Sequence, residues 1–163
     1  MNINQFVYNQ FSNAEEVVAY LNDQVHEFNG YRQRGYATTP CLLMMKAGPM
    51  VLSFNDIPEC AMHDYTSTPQ GQERVAKFVA LGHAEQNAIA FAARKGLITE
   101  GATMALAWFP CINCASLIVQ AGIEELIATI PNYDYKLDQY DFRGAEKVLR
   151  DAGVHITFVK KAA

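Results

Sequence analysis

Hydrophobic residues at helical spacing mark the first regular element of the chain. Ser12 precedes Glu15 by three residues, which is the spacing of a capping box at a helix N-terminus. One apolar stripe follows, formed by Val17, Leu21, Val25 and Phe28. The pattern therefore predicts a helix that ends at Gly30 and leaves His26 facing solvent. Residues 1–11 are polar with scattered aromatics and are predicted to be an ordered lead-in.

Two short apolar runs separated by a turn predict a β-hairpin. The runs cover residues 41–45 and 50–54, and Gly48-Pro49 lies between them. Turn-forming residues at 55–58 end the second strand.

Helical and strand patterns alternate in the rest of the chain. Pro69 follows a capping Thr68 and opens a helix to about Val79, and a further helix begins near His83 and stops before Gly96. The remaining predicted elements are a strand over 103–108, a helix over 111–120, a strand over 126–130, a helix over 138–150 and a strand over 154–159. Such alternation requires parallel crossovers. The order predicts an α/β fold with helices on both faces of a mixed five-stranded sheet.

Composition indicates a single globular domain over residues 1–163. Half of the residues are hydrophobic, 18% are charged and the net charge is −4, with no basic run. This balance argues against long nucleic acid as a partner. No signal peptide and no apolar run of membrane-spanning length is visible, so we expect a cytoplasmic protein without a membrane partner. Four cysteines in that compartment favour thiols or metal ligands over disulfides.

One histidine and two cysteines form a candidate metal site. Cys111 and Cys114 are two residues apart at a predicted helix start, so both thiolates can reach one ion. His83 opens another predicted helix and supplies a nitrogen ligand. Zn²⁺ takes such ligands, and catalytic zinc sites keep a fourth position for water. Glu85, two residues after the histidine, is suited to move that water's proton.

Other interpretations of these residues remain open at this point. The site could be a closed structural zinc site with Glu85 or His63 as a fourth ligand, or the thiols could be core cysteines. Cys41, Cys60 and His63 could form a second zinc site. The chain could also be a zinc-stabilised binding module without turnover.

The motifs together resemble the cytidine and deoxycytidylate deaminase superfamily, and most closely its deoxycytidylate branch. Residues 83–89 read HAEQNAI and residues 109–115 read FPCINCA. Residues 117–123 read LIVQAGI, and residues 55–58 read NDIP, similar to an Asn-Gly-x-Pro loop. The resemblance covers roughly residues 41–159.

The resemblance implies a three-layer α/β/α cytidine deaminase-like fold and a zinc-dependent hydrolase. His83, Cys111 and Cys114 would bind one catalytic Zn²⁺, and Glu85 would be the proton shuttle. Zinc-bound hydroxide would attack C4 of a free pyrimidine nucleotide, converting dCMP or a close relative to its uracil product while Glu85 protonates N3. Implied substrate contacts are Asn55 at the sugar hydroxyl or pocket wall, the backbone at Ala84 and Pro110, and Tyr133 at the base or sugar.

One departure from the family pattern bears on the substrate. Glu59 and Cys60 stand where deoxycytidylate deaminases often carry Arg and Gly, and a carboxylate there would repel a phosphate. The alternative is therefore a deaminase of a nucleobase or nucleoside, either a modified pyrimidine or a purine. The sole tryptophan, Trp108, could cover a base or pack in the core.

Family resemblance also implies a homo-oligomer. Leu117, Ile118 and Ile123 are expected to leave an apolar surface that packs between subunits. The expected partner is otherwise a small molecule, namely a nucleotide, nucleoside or base.

Overall fold

A computed structural model describes residues 3–31, 38–57, 81–135 and 140–160, in which six strands form one mixed sheet. The strands are β1 (Asn4–Val7), β2 (Pro40–Met44), β3 (Met50–Phe54), β4 (Thr103–Leu106), β5 (Glu125–Thr129) and β6 (His155–Val159). Their order across the sheet is β1-β3-β2-β4-β5-β6. The pairs from β1 to β4 are antiparallel, whereas β4, β5 and β6 run parallel.

Helices cover both faces of this sheet, as the sequence predicts. They are α1 (Ala14–Tyr31), α2 (Ala84–Arg94), α3 (Ile112–Gln120) and α4 (Phe142–Asp151). On one face, α1 buries Val17, Leu21 and Phe28 in a cluster with the sheet residues Leu42 and Leu52. The other three helices contribute to a second cluster on the opposite side. The architecture is therefore the expected α/β/α arrangement.

The predicted number of five strands is wrong, because the lead-in contains a sixth. Strand β1 pairs antiparallel with β3, with Asn4 opposite Ser53 and Val7 opposite Met50. Of its four residues only Val7 is buried. An edge strand with one buried side chain shows too little alternation of apolar and polar residues to be recognised from the sequence.

Two helix starts also differ from their predicted positions. Asn13, not Ser12, caps α1: its Oδ1 accepts a hydrogen bond from the backbone N–H of Glu16 at 2.8 Å. Helix α4 was expected from residue 138 but begins at Phe142, where the Asp141 carboxylate accepts from Gly144 N–H at 2.9 Å. In each case the side chain that satisfies a free N–H fixes the first turn.

The apolar surface expected on α3 is mostly core. Ile118 and Ile123 are 0% and 2% exposed within one protomer, because they pack beneath the helix against the sheet. Leu117 alone of the three is half-buried. His26 is exposed, as predicted. None of the described helices is both long and apolar enough to cross a membrane.

Several predictions fall outside the described residues. These are the helix from Pro69 to Val79, the departing residues Glu59 and Cys60, and His63. The second metal site proposed for Cys41, Cys60 and His63 therefore stays a prediction.

A stacked aromatic pair joins α1 to the sheet and supplies a stability prediction. The rings of Phe28 and Phe54 lie 4.0 Å apart and within 13° of parallel, and both are buried. We expect Phe28→Ala to lower the free energy of unfolding by about 3–5 kcal/mol, because it leaves a cavity under the end of β3. Chemical denaturation measures this loss.

Phe6→Ala is the matched control for that substitution. Phe6 is 39% exposed and makes one edge contact with Phe91, with centroids 5.4 Å apart. Its loss should cost about 1 kcal/mol. Equal losses for the two variants would show that the stacked pair does not anchor α1.

Candidate metal centre

Two helix N-termini bring the three candidate ligands together. His83 is the N-cap of α2 and Cys111 is the N-cap of α3, and both have extended backbone conformations. Their carbonyls accept the first helical hydrogen bonds, from Asn87 N–H and Ala115 N–H, each at 2.9 Å. Because helix N-termini carry partial positive charge, this position stabilises thiolates.

The distances between ligand atoms fit a tetrahedral zinc ion. His83 Nδ1 lies 3.4 Å from Cys114 Sγ and 3.6 Å from Cys111 Sγ. Zn–S and Zn–N bonds of about 2.3 and 2.0 Å at a tetrahedral angle place N and S roughly 3.5 Å apart. Among the described residues, no fourth His, Cys, Asp or Glu joins this group. The three side chains can therefore hold zinc and leave one position for water.

Hydrogen bonds between the three candidate ligands shift their pKa values. The Cys114 thiol donates to Cys111, which lowers the pKa of Cys111 to about 4 and raises the pKa of Cys114. The hydrogen bond to Cys111 also raises the pKa of His83. Metal binding must displace these protons, as it does at thiolate sites generally.

Glu85 is a buried carboxyl beside these ligands. It occupies the first turn of α2 and is 8% exposed. Burial raises its pKa, and the neighbouring His83 opposes that rise. A carboxyl that holds its proton more tightly than usual is suited to proton transfer near neutral pH.

The remaining described cysteine lies in the core behind Glu85. Cys41 is fully buried on β2, where burial and then the Glu85 charge raise its pKa well above the usual value. Cys41 does not belong to the metal-binding group. It is a core thiol in the described structure.

Asn55 holds two loops together at the end of β3. Its side-chain Oδ1 accepts a hydrogen bond from Thr39 N–H at 2.6 Å, and its own N–H donates to Thr39 O at 3.1 Å. Asn55 is 8% exposed. Its expected role at the sugar hydroxyl or in the pocket wall stays a prediction. No pattern in the sequence indicates Thr39 as its partner, since the two residues are 16 positions apart.

Ala84 and Pro110 lie next to the ligands, as their sequence positions require. Ala84 follows His83 in the first turn of α2, and Pro110 precedes Cys111; both are buried. Gln86 was missed: its Oε1 accepts from the His83 backbone N–H at 2.9 Å. A Gln three residues after the N-cap is the second half of a capping box. The pattern is hard to recognise here because the N-cap is a histidine rather than a serine or threonine.

Tyr133 packs against α4. Its hydroxyl donates a hydrogen bond to the Glu146 carboxylate, and the Arg143 guanidinium lies 4.9 Å from its ring centroid. Burial and Glu146 raise the Tyr133 pKa. The ring is therefore anchored on its α4 side, and its contact with a base or sugar stays a prediction.

Aromatic side chains surround the segment that leads from β4 to Cys111. Trp108 is 44% exposed and meets Tyr135 edge-on, with centroids 6.1 Å apart. Tyr135 also contacts Tyr140 and Phe142. Trp108 is thus not a core residue, which favours the prediction that it could cover a ligand. The sequence did not indicate its partner Tyr135.

Three known proteins resemble the chain in sequence or fold. Deoxycytidylate deaminase of Enterobacteria phage T2 is 43% identical over 79 residues, which is 48% of this chain and 39% of that protein. An uncharacterized deaminase of Aliivibrio fischeri is 31% identical over 110 residues, 66% of this chain and 69% of that protein. The dCMP deaminase of cyanophage S-TIM5, solved with dCMP and dUMP, superimposes with a TM-score of 0.60 at 18% identity. That match covers 91% of this chain and 100% of the cyanophage chain.

The chain matches about two fifths of the length of the phage T2 relative. A family profile covers more of this chain. The profile described as the cytidine and deoxycytidylate deaminase zinc-binding region matches residues 30–130, which include all three candidate ligands and Glu85. The chain therefore belongs to the cytidine and deoxycytidylate deaminase family.

Proposed function

We propose that the chain is a zinc-dependent hydrolytic deaminase of a free pyrimidine nucleotide, converting dCMP or a close relative to its uracil product. The observation that carries this proposal is the buried Glu85 carboxyl beside the group formed by His83, Cys111 and Cys114. A structural metal site has no use for a buried carboxyl that is not one of its ligands. That argument disfavours a binding module without turnover.

The three metal ligands and Glu85 each have a defined part in the proposed reaction. Zn²⁺ held by the three ligands would supply a water of lowered pKa. Glu85 takes a proton from the attacking water and delivers it to N3 of the ring, and then assists the departure of ammonia from C4. The buried position of Glu85 excludes bulk water from this transfer.

Substrate choice rests on residues around the metal group. Asn55 holds the wall near the sugar through Thr39, the backbone at Ala84 and Pro110 lines the ring position, and Tyr133 closes the α4 side. The sequence identity with deoxycytidylate deaminases supports a nucleotide over a free base. Glu59, whose carboxylate would repel a phosphate, is the feature that keeps a nucleoside or nucleobase as the alternative.

The proposed function extends to the domain, location and assembly of the chain. We infer that residues 1–163 form one catalytic domain that acts on a small molecule in the cytoplasm, as a homo-oligomer. Net charge of −4 supports a free nucleotide over a long nucleic acid. The half-buried Leu117 is the one residue of the predicted apolar surface that remains available to a subunit contact.

Ammonia release over a panel of substrates tests the proposal. The panel is dCMP, CMP, deoxycytidine, cytidine, cytosine, guanine and adenine. We expect dCMP to have the highest kcat/KM. Turnover of unphosphorylated compounds alone would contradict the nucleotide assignment, and no turnover by zinc-loaded protein would contradict the enzyme assignment within this panel.

Glu85→Gln separates catalysis from metal binding. The amide keeps the shape of the carboxyl but cannot carry the proton, so kcat should fall by about 10²–10⁴-fold. Zinc content, measured by atomic absorption, should be unchanged. A variant with wild-type turnover would remove Glu85 from the mechanism.

Paired substitutions at Asn55 distinguish its two predicted roles. Asn55→Asp keeps an oxygen that can accept from Thr39 N–H but removes the amide donor, whereas Asn55→Ala removes both. If Asn55 only holds the wall, the Asp variant should keep KM for dCMP within about threefold, and the Ala variant should raise it about tenfold or more. A large rise for both variants would instead assign a donor contact with the substrate.

Metal binding can be tested without any substrate. Purified protein should contain about one zinc ion per chain, and cobalt in its place should give the sulfur-to-metal absorption of a two-thiolate site. Cys111→Ser and Cys114→Ser should lose that absorption in turn. Cys41→Ala is the control and should retain it, since Cys41 is outside the group; its loss would contradict the assigned ligand set.

A further inference from the structure

We propose that Asn87 is a positioning residue that fixes the metal-binding end of α2 against the end of β3. It would thereby set the distance between the metal ligand His83 and the pocket residue Asn55. The inference rests on the proposed function only for its activity readout. Its structural basis is a set of contacts that no metal or substrate chemistry explains.

The side chain of Asn87 connects two backbone segments. Its Nδ2 donates to Phe54 O at 2.8 Å, and the same group lies 3.4 Å from Gly82 O. Phe54 is the last residue of β3 and directly precedes Asn55, while Gly82 directly precedes His83. One amide group therefore contacts the residue before the pocket asparagine and the residue before the metal ligand.

Backbone hydrogen bonds join the same two segments beside Asn87. Asp56 N–H donates to Gly82 O, and Gly82 N–H donates to Asp56 O, each at 3.0 Å. This pair forms an isolated antiparallel bridge outside the sheet. An isolated bridge has no neighbouring ladder to support it, so the Asn87 side chain supplies the adjacent contact that a strand would otherwise make.

Space at Gly82 is shaped by Asn87. A Cβ added at Gly82 would lie 2.5 Å from Asn87 Oδ1, which is closer than non-bonded atoms allow. Because Gly82 has no side chain, it can form the bridge with Asp56 while the Asn87 amide packs directly against it. A larger residue would displace the side chain of Asn87 from Phe54 O.

The consequence is a positional constraint on both parts of the site. Residues that orient metal ligands without touching the metal commonly change metal affinity by 10–100-fold when they are removed. Asn87 fits that description through its side chain, which contacts the residue before His83. Its backbone N–H also donates the first helical hydrogen bond to His83 O at 2.9 Å, a contact that substitution of the side chain leaves in place. The first turn of α2 is thus held both by the backbone N–H of Asn87, at His83, and by its side chain, at Phe54 and Gly82.

Zinc affinity of Asn87→Leu and Asn87→Ala tests the inference. Leu keeps much of the volume but removes both the donor and the acceptor, and Ala removes the side chain. Both variants should bind zinc about 10–100-fold more weakly in competition with a chromophoric chelator. With dCMP as substrate, the zinc-saturated variants should also show a lowered kcat.

A double-mutant cycle with Gly82 separates positioning from loss of stability. Gly82→Ala should weaken zinc binding by displacing Asn87. In the Asn87→Ala background the same change should alter zinc affinity by less than about twofold, because the clashing side chain is gone. Full additivity of the two changes would overturn the inference.

Val154→Ala is the control for general destabilisation. Val154 is buried just before β6, in the core cluster that α2, α3 and α4 form with the sheet, and none of the hydrogen bonds described for the Asn87 amide involves it. The Val154→Ala substitution should lower the unfolding midpoint without changing the zinc affinity.

Wild-type zinc affinity in both Asn87 variants would overturn the inference. Unchanged dCMP turnover with weakened zinc binding would restrict the role of Asn87 to the metal, and absent turnover in wild type would count against the proposed function alone.

Discussion

The separation of one histidine nitrogen and two sulfurs by 3.4 and 3.6 Å is the constraint on which the site depends. The ligands come from two helices, so the helices must be placed on the sheet with an accuracy of a few tenths of an ångström. Helix α2 meets the sheet through Ala84, Ala88 and Ala92, all buried. Small side chains let its axis approach closely, and close packing leaves little freedom for its N-terminus to move.

Charge adds a second constraint on the same small volume. Two thiols, an imidazole and the Glu85 carboxyl lie close together in a mostly buried volume, and each shifts the pKa of its neighbours. Burying several ionisable groups is costly unless each has a partner. A divalent cation resolves this by neutralising two thiolates at once, which couples metal binding to the stability of the region.

The sequence predicted those parts of the molecule that depend on local spacing. His83 with Glu85, and Cys111 with Cys114, are close in the chain, so their chemistry can be inferred before any fold is known. Strand β1 is not predicted, because a strand with one buried side chain shows no alternation of apolar and polar residues. The cap of α1 was placed one residue early because Ser12 and Asn13 are both good caps, and only the backbone geometry selects between them.

Contacts between distant segments could not be inferred in this way. Asn55 with Thr39, and Trp108 with Tyr135, join residues whose separation in the sequence carries no signal. The same distinction divides the function. The reaction type can be inferred from short motifs, whereas the proposed substrate contacts Asn55 and Tyr133 follow β3 and β5, outside the His-x-Glu and Cys-x-x-Cys motifs.

Ligands of α/β sheets commonly bind beyond the carboxyl ends of the parallel strands. Here β4 leads to Trp108 and Cys111, and β5 leads to Tyr133 and Tyr135, so metal and aromatic residues share that edge. The antiparallel strand β3 ends near α2 through Phe54 and Asn87. The metal-binding group therefore lies between one side held by backbone contacts and another bordered by aromatic side chains on loops.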